Sequence, residues 1–510
     1  MSDKYIYDEV AYPSFTFPQT HPARLAALAK FYGMEAANVE ACRVLELGCG
    51  DGANLLSLAY SLPNSEFVGI DLSAHHIAAA HETTKRLDLN NIEFHQADVT
   101  NVDCRQLGKF DFIIAHGLYS WVPDFVREAI LTIYSECLAE NGIGYISYNA
   151  YPGCHLRQIG FEMLRYTTLG VTDPMEKVES GIENLLEIAE ATQDESVVRS
   201  ILALEYDQLI ERVPSNVFHD EFAPINQPLY FHEFAAKIGE YGFQFLSEAD
   251  PTSNNNGKLN DNARKLLNSV GDDVIRREQY FDFIRLTRFR RTLFCRTNID
   301  LDRDSNPAKL KEFLIASNIE PAPEANFSDD SPVKFSDSKG SSATINHPLT
   351  KTALALLRKK WSGSIAFNEL LSESISTLGR STVTDSDIER TSAYILSLFN
   401  AGMVKLRTYQ PQFASTAREF PLVSAFARWQ IENGSQSVAT LTGNNLEVKN
   451  VMLRAMIVLL EGSRNREMLE VELKNLLEVP NEERLKFESA LPQMIESNLE
   501  HMAESGLFVA

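Results

Sequence analysis

The residues best suited to chemistry lie in one glycine-rich stretch, Glu46-Leu-Gly-Cys-Gly-Asp-Gly52. An apolar run, Val44-Leu45, leads into its acidic first residue, and three glycines then follow at every second position. This pattern predicts a buried parallel strand that turns tightly into a helix beginning at Ala53. Glycines in such a turn permit positive φ and let a ligand approach the backbone closely. The stretch therefore predicts a binding turn of the nucleotide type.

Carboxylates follow the next two predicted strands, Asp71 after the second and Asp98 after the third. A carboxylate after strand two can accept hydrogen bonds from both ribose hydroxyls of a nucleoside. Glu46 and Asp51 lie at the same edge, and the loop contains no Lys or Arg, so a pyrophosphate would be disfavoured. A cationic sulfonium that bears an ammonium group suits these acids better. The alternatives are a dinucleotide fold, whose G-x-G-x-x-G spacing is not met here, and a turn that binds no ligand.

Composition limits the classes that the chain can belong to. Its 510 residues are enough for roughly two to four domains, and its net charge of −23 disfavours non-specific binding to nucleic acid. The six cysteines form no C-x-x-C pair, so neither a disulfide framework nor a metal site is expected. No long apolar run or signal peptide is evident. We expect a cytoplasmic protein without membrane insertion.

Strands and helices alternate through residues 41–150, which predicts a doubly wound α/β sheet. Ligands bind at the carboxyl edge of such sheets, where the acids described above converge. The expected strands lie near 43–48, 66–71, 92–97, 110–115 and 142–149, and the expected helices near 53–62, 73–89 and 123–139.

The segment before the first strand, residues 1–40, is rich in aromatic residues and proline. It is either a lid over the cofactor, with Phe17, Gln19 and His21 facing the ligand, or an aromatic strap packed on the domain surface. The residues themselves do not distinguish the two interpretations.

Two further loops reach the same sheet edge. The loop after strand four carries His116, Tyr119 and Trp121, whose rings could surround a cationic amine or could equally be part of the core. Strand five ends with Asn149 and Tyr151, which either overhang the pocket or belong to an ordinary Pro-Gly turn. We predict that Tyr119, Trp121, Asn149 and Tyr151 lie on the acceptor side.

Several longer motifs carry a resemblance to a known family. They are Tyr12-Pro-Ser with Gln19-Thr-His-Pro22, His116-Gly-Leu-Tyr-Ser-Trp-Val-Pro, Ser147-Tyr-Asn-Ala-Tyr-Pro-Gly, Gln227-Pro-Leu-Tyr-Phe-His-Glu-Phe, Glu278-Gln-Tyr-Phe-Asp-Phe and Arg288-Phe-Arg-Arg-Thr-Leu-Phe-Cys. With the glycine turn, they resemble class I S-adenosylmethionine-dependent methyltransferases that carry a methyltransferase regulatory domain. That group includes bacterial lysine methyltransferases that modify outer-membrane proteins. Members often have Trp where this chain has Cys154.

The resemblance implies a Rossmann-like, seven-stranded methyltransferase sheet, with strand six after Gly242 and strand seven at 289–296. The mainly helical C-terminal region has winged-helix-like patterns. We expect a lid segment at 1–40, a methyltransferase core at 41–150, a helical insertion (the regulatory domain) that completes the sheet at 151–297, a linker or hairpin-bearing connector at 298–345 and a C-terminal domain at 346–510.

The residues and the resemblance together predict S-adenosylmethionine as cofactor, with S-adenosylhomocysteine as product and no metal. The predicted cofactor residues are Phe17, Gln19, His21, Glu46, Gly48, Gly50, Asn54, Asp71, Leu72, Asp98, Val99, His116 and Gly117. The expected activity is methyl transfer to a protein, on lysine Nε, with an outer-membrane or surface protein before export as a candidate substrate. The alternatives are a small-molecule methyltransferase and a catalytically silent cofactor-binding scaffold.

Overall fold

A computed structural model describes residues 10, 15–250, 252, 259–338, 340–379 and 383–510. The Tyr12-Pro-Ser motif, most of the first 14 residues of the predicted lid and the polar stretch at 253–257 lie outside the described residues.

A seven-stranded sheet forms the centre of the N-terminal half, in the order β3-β2-β1-β4-β5-β7-β6. The strands β1 to β5 are parallel, and β7 is antiparallel to β5 and β6. This arrangement confirms the predicted Rossmann-like methyltransferase sheet. The strands are β1 (Arg43–Leu47), β2 (Glu66–Asp71), β3 (Ile92–Gln96), β4 (Phe110–Ala115), β5 (Leu138–Asn149), β6 (Phe243–Glu248) and β7 (Phe289–Arg296).

Helices cover both faces of the sheet, as the strand–helix alternation predicts. Two residues of the buried strand β1, Val44 and Leu45, belong to separate apolar clusters because successive side chains point to opposite faces. The first helices are α1 (Pro22–Phe31), α2 (Ala53–Ser61), α3 (Ala74–Arg86), α4 (Cys104–Leu107) and α5 (Asp124–Cys137).

Two helical insertions separate β5 from β7. The first contains α6 (Gly153–Thr167), α7 (Pro174–Ala191), α8 (Val197–Ile210) and α9 (Pro214–Glu221). The helix α10 (Phe231–Glu240) then leads into β6, and α11 (Asp261–Ser269) and α12 (Val274–Arg285) precede β7. The first insertion packs around its own apolar cluster, which includes Leu164, Leu185 and Leu202.

The remainder of the chain is mainly helical, as predicted. It contains short strands β8 (Leu314–Ala316), β9 (Glu320–Pro321), β10 (Val333–Ser336), β11 (Ser342–Ile345), β12 (Ile365–Ala366), β13 (Lys405–Arg407), β14 (Ser437–Ala439) and β15 (Asn445–Glu447). Its helices are α13 (Pro348–Lys359), α14 (Phe367–Leu378), α15 (Asp385–Asn400), α16 (Ala425–Glu432), α17 (Val451–Leu459), α18 (Arg466–Leu476) and α19 (Asn481–Ser505). The winged-helix likeness and the domain boundaries stay predictions.

The stretch expected to be a linker, 298–345, contributes to the core. Ile315 on β8 is fully buried and pairs with Ile365 on β12 and Leu406 on β13. It belongs to the same apolar cluster as Leu25 and Val44 of the N-terminal half. The N-terminal and C-terminal halves therefore share one hydrophobic core.

No helix among the described residues is both long and apolar enough to cross a membrane.

Candidate active site

A cavity of about 660 Å³ opens at the carboxyl edge of the central strands. One side is lined by residues at the ends of β1, β2, β4 and β5, and the other by the first helical insertion. The glycine turn forms the floor of the first side. Gly48, Gly50 and Gly52 all have positive φ, between 56° and 79°. A Cβ on Gly52 would lie 2.5 Å from the Phe94 ring, whereas a Cβ on Gly50 would meet nothing within 4 Å. The turn is thus compact beneath and open towards the cavity.

Glu46 places a buried carboxyl group at the base of the turn. Its side chain is only 3% exposed. Asn54 Nδ2 on α2 donates to Oε1 at 2.8 Å, while Oε2 is buried without a hydrogen-bond partner. Burial raises the Glu46 pKa to about 8. An unpartnered buried acceptor beside a cavity is suited to a cationic donor such as an ammonium group.

Asp71 ends β2 with its carboxylate held by the backbone. Gly50 N donates to Oδ2 at 2.8 Å and Ser73 N donates to Oδ1 at 2.9 Å. These bonds fix the carboxylate at the cavity wall, where its remaining lone pairs can accept hydroxyl donors.

Aromatic rings line the cavity opposite Glu46 and Asp71. Phe17 packs on His116 with ring centroids 3.9 Å apart, and Phe289 meets His116 edge-on at 6.1 Å. His116 Nδ1 and the Tyr145 hydroxyl lie 2.8 Å apart. Burial, with a further contribution from Arg291, lowers the His116 pKa to about 3. His116 is therefore a neutral ring at physiological pH.

Ion pairs from the first insertion line the far wall. Glu221 is 3% exposed, accepts a forked contact from Arg157 and lies 2.7 Å from Arg212 Nη1. Arg288, which precedes β7, pairs with Glu205 on α8 at 2.6 Å. The wall thus presents buried carboxylates whose charges are balanced by guanidinium groups.

Comparisons with known proteins agree with this architecture. The profile described as "Methyltransferase domain" matches residues 38–179. The profile described as "Predicted methyltransferase regulatory domain" matches residues 214–296.

Two relatives from Rickettsia prowazekii extend the match. Uncharacterized protein RP789 is 32% identical over 393 residues, which cover 76% of this chain and 70% of the relative. Uncharacterized protein RP028 is 32% identical over 246 residues, which cover 48% of this chain and 98% of the relative. The structure of PKMT2 from Rickettsia typhi in complex with AdoHcy superposes with a TM-score of 0.88 at 25% identity, covering 98% of this chain and 100% of PKMT2.

The chain belongs to the S-adenosylmethionine-dependent methyltransferases that carry a methyltransferase regulatory domain. The residues of the cavity fit that cofactor. The methyltransferase presents the unpartnered Oε2 of Glu46 to a cationic group, the fixed carboxylate of Asp71 to hydroxyl groups and an open approach at Gly50. Groups of three or more His, Cys, Asp or Glu able to hold a metal ion are absent from the described part of the chain.

The structure brings ten of the predicted site residues to the cavity. They are Phe17, Glu46, Gly48, Gly50, Asn54, Asp71, His116, Gly117, Trp121 and Asn149. Seven others do not line it: Gln19, His21, Leu72, Asp98, Val99, Tyr119 and Tyr151.

His21 does not face the cavity, contrary to the lid interpretation. Its Nδ1 accepts from Ala23 N at 3.2 Å and so caps α1, and its Nε2 lies 3.2 Å from Ser61 Oγ. The ring also packs beside Gly443 of the C-terminal region. Capping a helix and facing the cofactor require different directions of the side chain, and in this methyltransferase the cap determines its direction.

Tyr119 also differs from its expected position. It is 1% exposed and packs edge-on against Phe234 at 5.7 Å, with the Arg127 guanidinium 5.2 Å from its ring. The Tyr119 ring points inward and belongs to the same buried apolar cluster as Phe234. Tyr151 stacks on His155 at 4.1 Å, beyond the cavity lining.

The other four residues stay near the sheet edge. The Gln19 side chain forms a hydrogen bond with the hydroxyl of Tyr145, the same hydroxyl that lies 2.8 Å from His116 Nδ1. Asp98 accepts from Thr100 N at 2.9 Å and so caps the short turn at Val99–Asn101, while Leu72 is exposed. Their predicted roles toward the cofactor stay predictions.

Sequence reasoning missed the charged wall. Its pairs join residues that are 64 and 83 positions apart, from Arg157 to Glu221 and from Glu205 to Arg288. The one available signal was Arg212 near Asp220 and Glu221, which on sequence grounds resembles a solvated loop. Only the packing of four helices shows that this group is buried.

Proposed function

We propose that the methyltransferase transfers a methyl group from S-adenosylmethionine to the Nε atom of a lysine in a protein. One observation carries the proposal: a single cavity joins the cofactor turn to a wall that is rich in charged residues. Among the described residues, its lining contains six carboxyl groups, from Glu46, Asp51, Asp71, Glu205, Asp220 and Glu221, and three guanidinium groups, from Arg157, Arg212 and Arg288. The excess of carboxyl groups favours a cationic cofactor and a cationic acceptor over acidic ones.

The reaction needs a neutral amine. The cofactor supplies an electrophilic methyl group on a sulfonium; the nitrogen lone pair forms the new N–C bond while the S–C electron pair stays on sulfur. A free lysine has a pKa of about 10.4. Desolvation in the cavity disfavours the ammonium form and so lowers that pKa, against the carboxyl groups that attract the cationic form during binding. The proton then leaves to solvent, and the walls hold the two reactants in line.

Trp121 and Asn149 are the acceptor-side residues that we retain. Both line the cavity, and the Asn149 amide donates to Asn226 Oδ1 at 2.8 Å, which fixes its orientation. The resemblance of the motifs to lysine methyltransferases of outer-membrane proteins supports a protein acceptor. We propose that the substrate is modified in the cytoplasm, before export.

The test is incubation of the purified protein with isotope-labelled S-adenosylmethionine and fractionated bacterial extract. Label in protein, located on lysine by peptide mass spectrometry, supports the proposal, and prior acetylation of the lysines should abolish it. Label only in the small-molecule fraction would identify the small-molecule alternative. AdoHcy binding without transfer to any fraction would identify the silent scaffold.

A variant pair tests the acceptor side. Trp121→Ala should reduce kcat/KM for the protein substrate about tenfold or more. The nitrogen becomes positively charged as the N–C bond forms, and an aromatic wall stabilises a cation by on the order of 1 kcal/mol or more. Phe125→Ala is the matched control, since this neighbouring aromatic is 67% exposed and does not line the cavity. Equal effects of the two changes would remove Trp121 from the acceptor side.

A further inference from the structure

The N-terminal strap, residues 15–20, lies between the cofactor cavity and the C-terminal hairpin of β14 and β15. Thr16 is 8% exposed and makes two reciprocal hydrogen bonds with Asn445 on β15. Thr16 Oγ1 donates to Asn445 Oδ1 at 2.7 Å, and Asn445 Nδ2 donates to the Thr16 carbonyl at 2.9 Å. Both polar atoms of one amide side chain thus bind one residue of the strap, 429 positions away.

The next residue of the strap is a wall of the cavity. Phe17 lines it and packs on His116. The Phe17 amide donates to Asn54 Oδ1 at 2.9 Å, and Asn54 in turn binds Glu46. An uninterrupted series of contacts therefore runs from Asn445 through Thr16 and Phe17 to the buried carboxyl group of the cofactor site.

The hairpin is held by β13 and by α16, to which the Ala439 amide of β14 donates at Gln430 Oε1 (2.7 Å), and α16 in turn is held on the methyltransferase core. Lys405 Nζ donates to Asn444 Oδ1 at 2.7 Å, and the Ala425 amide at the start of α16 donates to the Tyr60 hydroxyl of α2 at 3.0 Å. Arg86 on α3 forms an ion pair with Glu432 at the end of α16. Asn445 is consequently presented to the strap from a fixed position.

We propose that Asn445 is a positioning residue for the cofactor. Its amide fixes the backbone of Thr16 and thereby keeps Phe17 at the cavity wall before the ligand arrives. A strap that is already in place loses less conformational freedom on binding, so affinity is higher than it would be for a loose strap. The C-terminal region thus contributes to cofactor affinity without lining the cavity.

The test is calorimetric titration of the full-length protein with AdoHcy, alongside the melting temperature of the ligand-free protein. Asn445→Ala should raise the AdoHcy Kd about three- to tenfold, as expected for two partly buried hydrogen bonds that act through preorganisation. Thr16→Val, which keeps the carbonyl acceptor but loses the hydroxyl, should raise Kd less. Thr16→Ser keeps both bonds and should retain the parent affinity.

The double variant distinguishes a positioning role from a structural one. If Asn445 acts through Thr16, the Thr16→Val change adds little in the Asn445→Ala background, and the two effects are not additive. Glu447→Ala is the matched control, because this exposed residue lies on the same strand and its side chain forms an exposed ion pair with Lys449. It should leave Kd unchanged.

A Kd for Asn445→Ala within twofold of the parent would overturn the proposal, as would additive effects or an equal loss in Glu447→Ala. Should Asn445→Ala fail to fold, Asn445→Asp replaces it, since Asp accepts from Thr16 Oγ1 but cannot donate to the carbonyl. The readout is ligand binding without an acceptor. A failure here is therefore separate from a failure of the proposed lysine substrate.

Discussion

Ionisation of the Glu46 carboxyl group costs free energy in the folded protein, because the group is buried and one of its oxygens has no hydrogen-bond partner. Burial raises its pKa from 4.5 to about 8. In the unfolded chain the group loses its proton near the lower value. The folded protein therefore loses stability as pH rises from about 4.5 to about 8, and this contribution is fully retained only below that range.

Glu46→Gln removes this effect because the amide does not ionise. We expect the ligand-free variant to match the parent near pH 5 and to exceed it by about 1 kcal/mol or more near pH 8.5. AdoHcy binding should weaken in the same variant, since the glutamine amide can still accept a hydrogen bond but cannot carry the negative charge that pairs with a cation. Urea titrations at both pH values and calorimetry measure the two effects. Equal stability of the two proteins at both pH values would contradict the buried-acid interpretation.

Asp71→Ala should weaken AdoHcy binding about 30-fold or more, since it removes a carboxylate that can take two hydroxyl donors and also organises the turn. Gly50 N and Ser73 N lose their acceptor in the same change. Asp98→Ala is the comparison, because Asp98 was also predicted to bind the cofactor but does not line the cavity. Unaltered affinity in Asp71→Ala would remove the ribose assignment.

At the scale of elements, β6, β7 and α12 meet at one buried cluster. Arg290 on β7 lies 2.7 Å from Glu248, 2.8 Å from Asp282 and 3.1 Å from Glu278. All four side chains are 5% exposed or less. Burial raises the Glu278 pKa to about 7, and the neighbouring carboxyl groups of Glu248 and Asp282 add to the shift while Arg290 opposes it. This cluster fixes the strand that carries Phe289 into the cavity.

Arg290→Met should cost about 3–5 kcal/mol at pH 8, because it leaves three buried carboxyl groups without a cation. The loss should shrink as pH falls towards 5, since protonation then neutralises Glu278 and Asp282, whose pKa values are already raised by burial and rise further without the arginine. Glu278→Gln is the control within the cluster and should be neutral or stabilising at pH 8. Chemical unfolding at the two pH values measures these effects, and a loss independent of pH would contradict this account.

Elements were more predictable than their side-chain directions. Strands β1 to β3 follow from apolar runs that end in glycine or acid, β4 and β5 from apolar runs in the same alternation with helices, and β6 and β7 from the resemblance. The direction of His21 could not be predicted, because the same residue can cap α1 or face the cofactor, and sequence distance does not decide between them. The charged wall of Arg157, Glu205 and Glu221 could not be predicted from the sequence, because these residues meet only after four helices have packed together.

At the scale of the whole molecule, the segment 298–345 contains an antiparallel hairpin of β10 and β11, in keeping with a hairpin-bearing connector, and it also contributes to the core. Its Pro- and Ser-rich part suggested a linker, but Leu310, Phe313 and Ile315 are at most 2% exposed in the common core. The apolar run that contains β8, residues 313–316, is only four residues long, and periodicity cannot distinguish so short a run as strand or buried helix.

The net charge of −23 has a testable effect on substrate encounter. Because the surface potential is screened beyond roughly 10 Å at 0.1 M salt, KM for a lysine-rich protein substrate should rise several-fold between low and moderate salt. KM for S-adenosylmethionine, which is held by buried groups, should change less. Methylation kinetics across a salt series measure both, and a salt-independent KM for the protein substrate would argue against steering by charge.

The bond between Thr16 and Asn445 also sets an order of events during synthesis. The two residues are 429 positions apart, so the ribosome must add 429 residues between the emergence of the strap and that of the hairpin. At ~5–20 residues per second, that interval is about 20–90 seconds. During this interval the nascent chain can form its central sheet, but Thr16 cannot form its hydrogen bonds with Asn445. Full cofactor affinity is therefore acquired only when the C-terminal hairpin has left the exit tunnel, well after the central sheet has emerged.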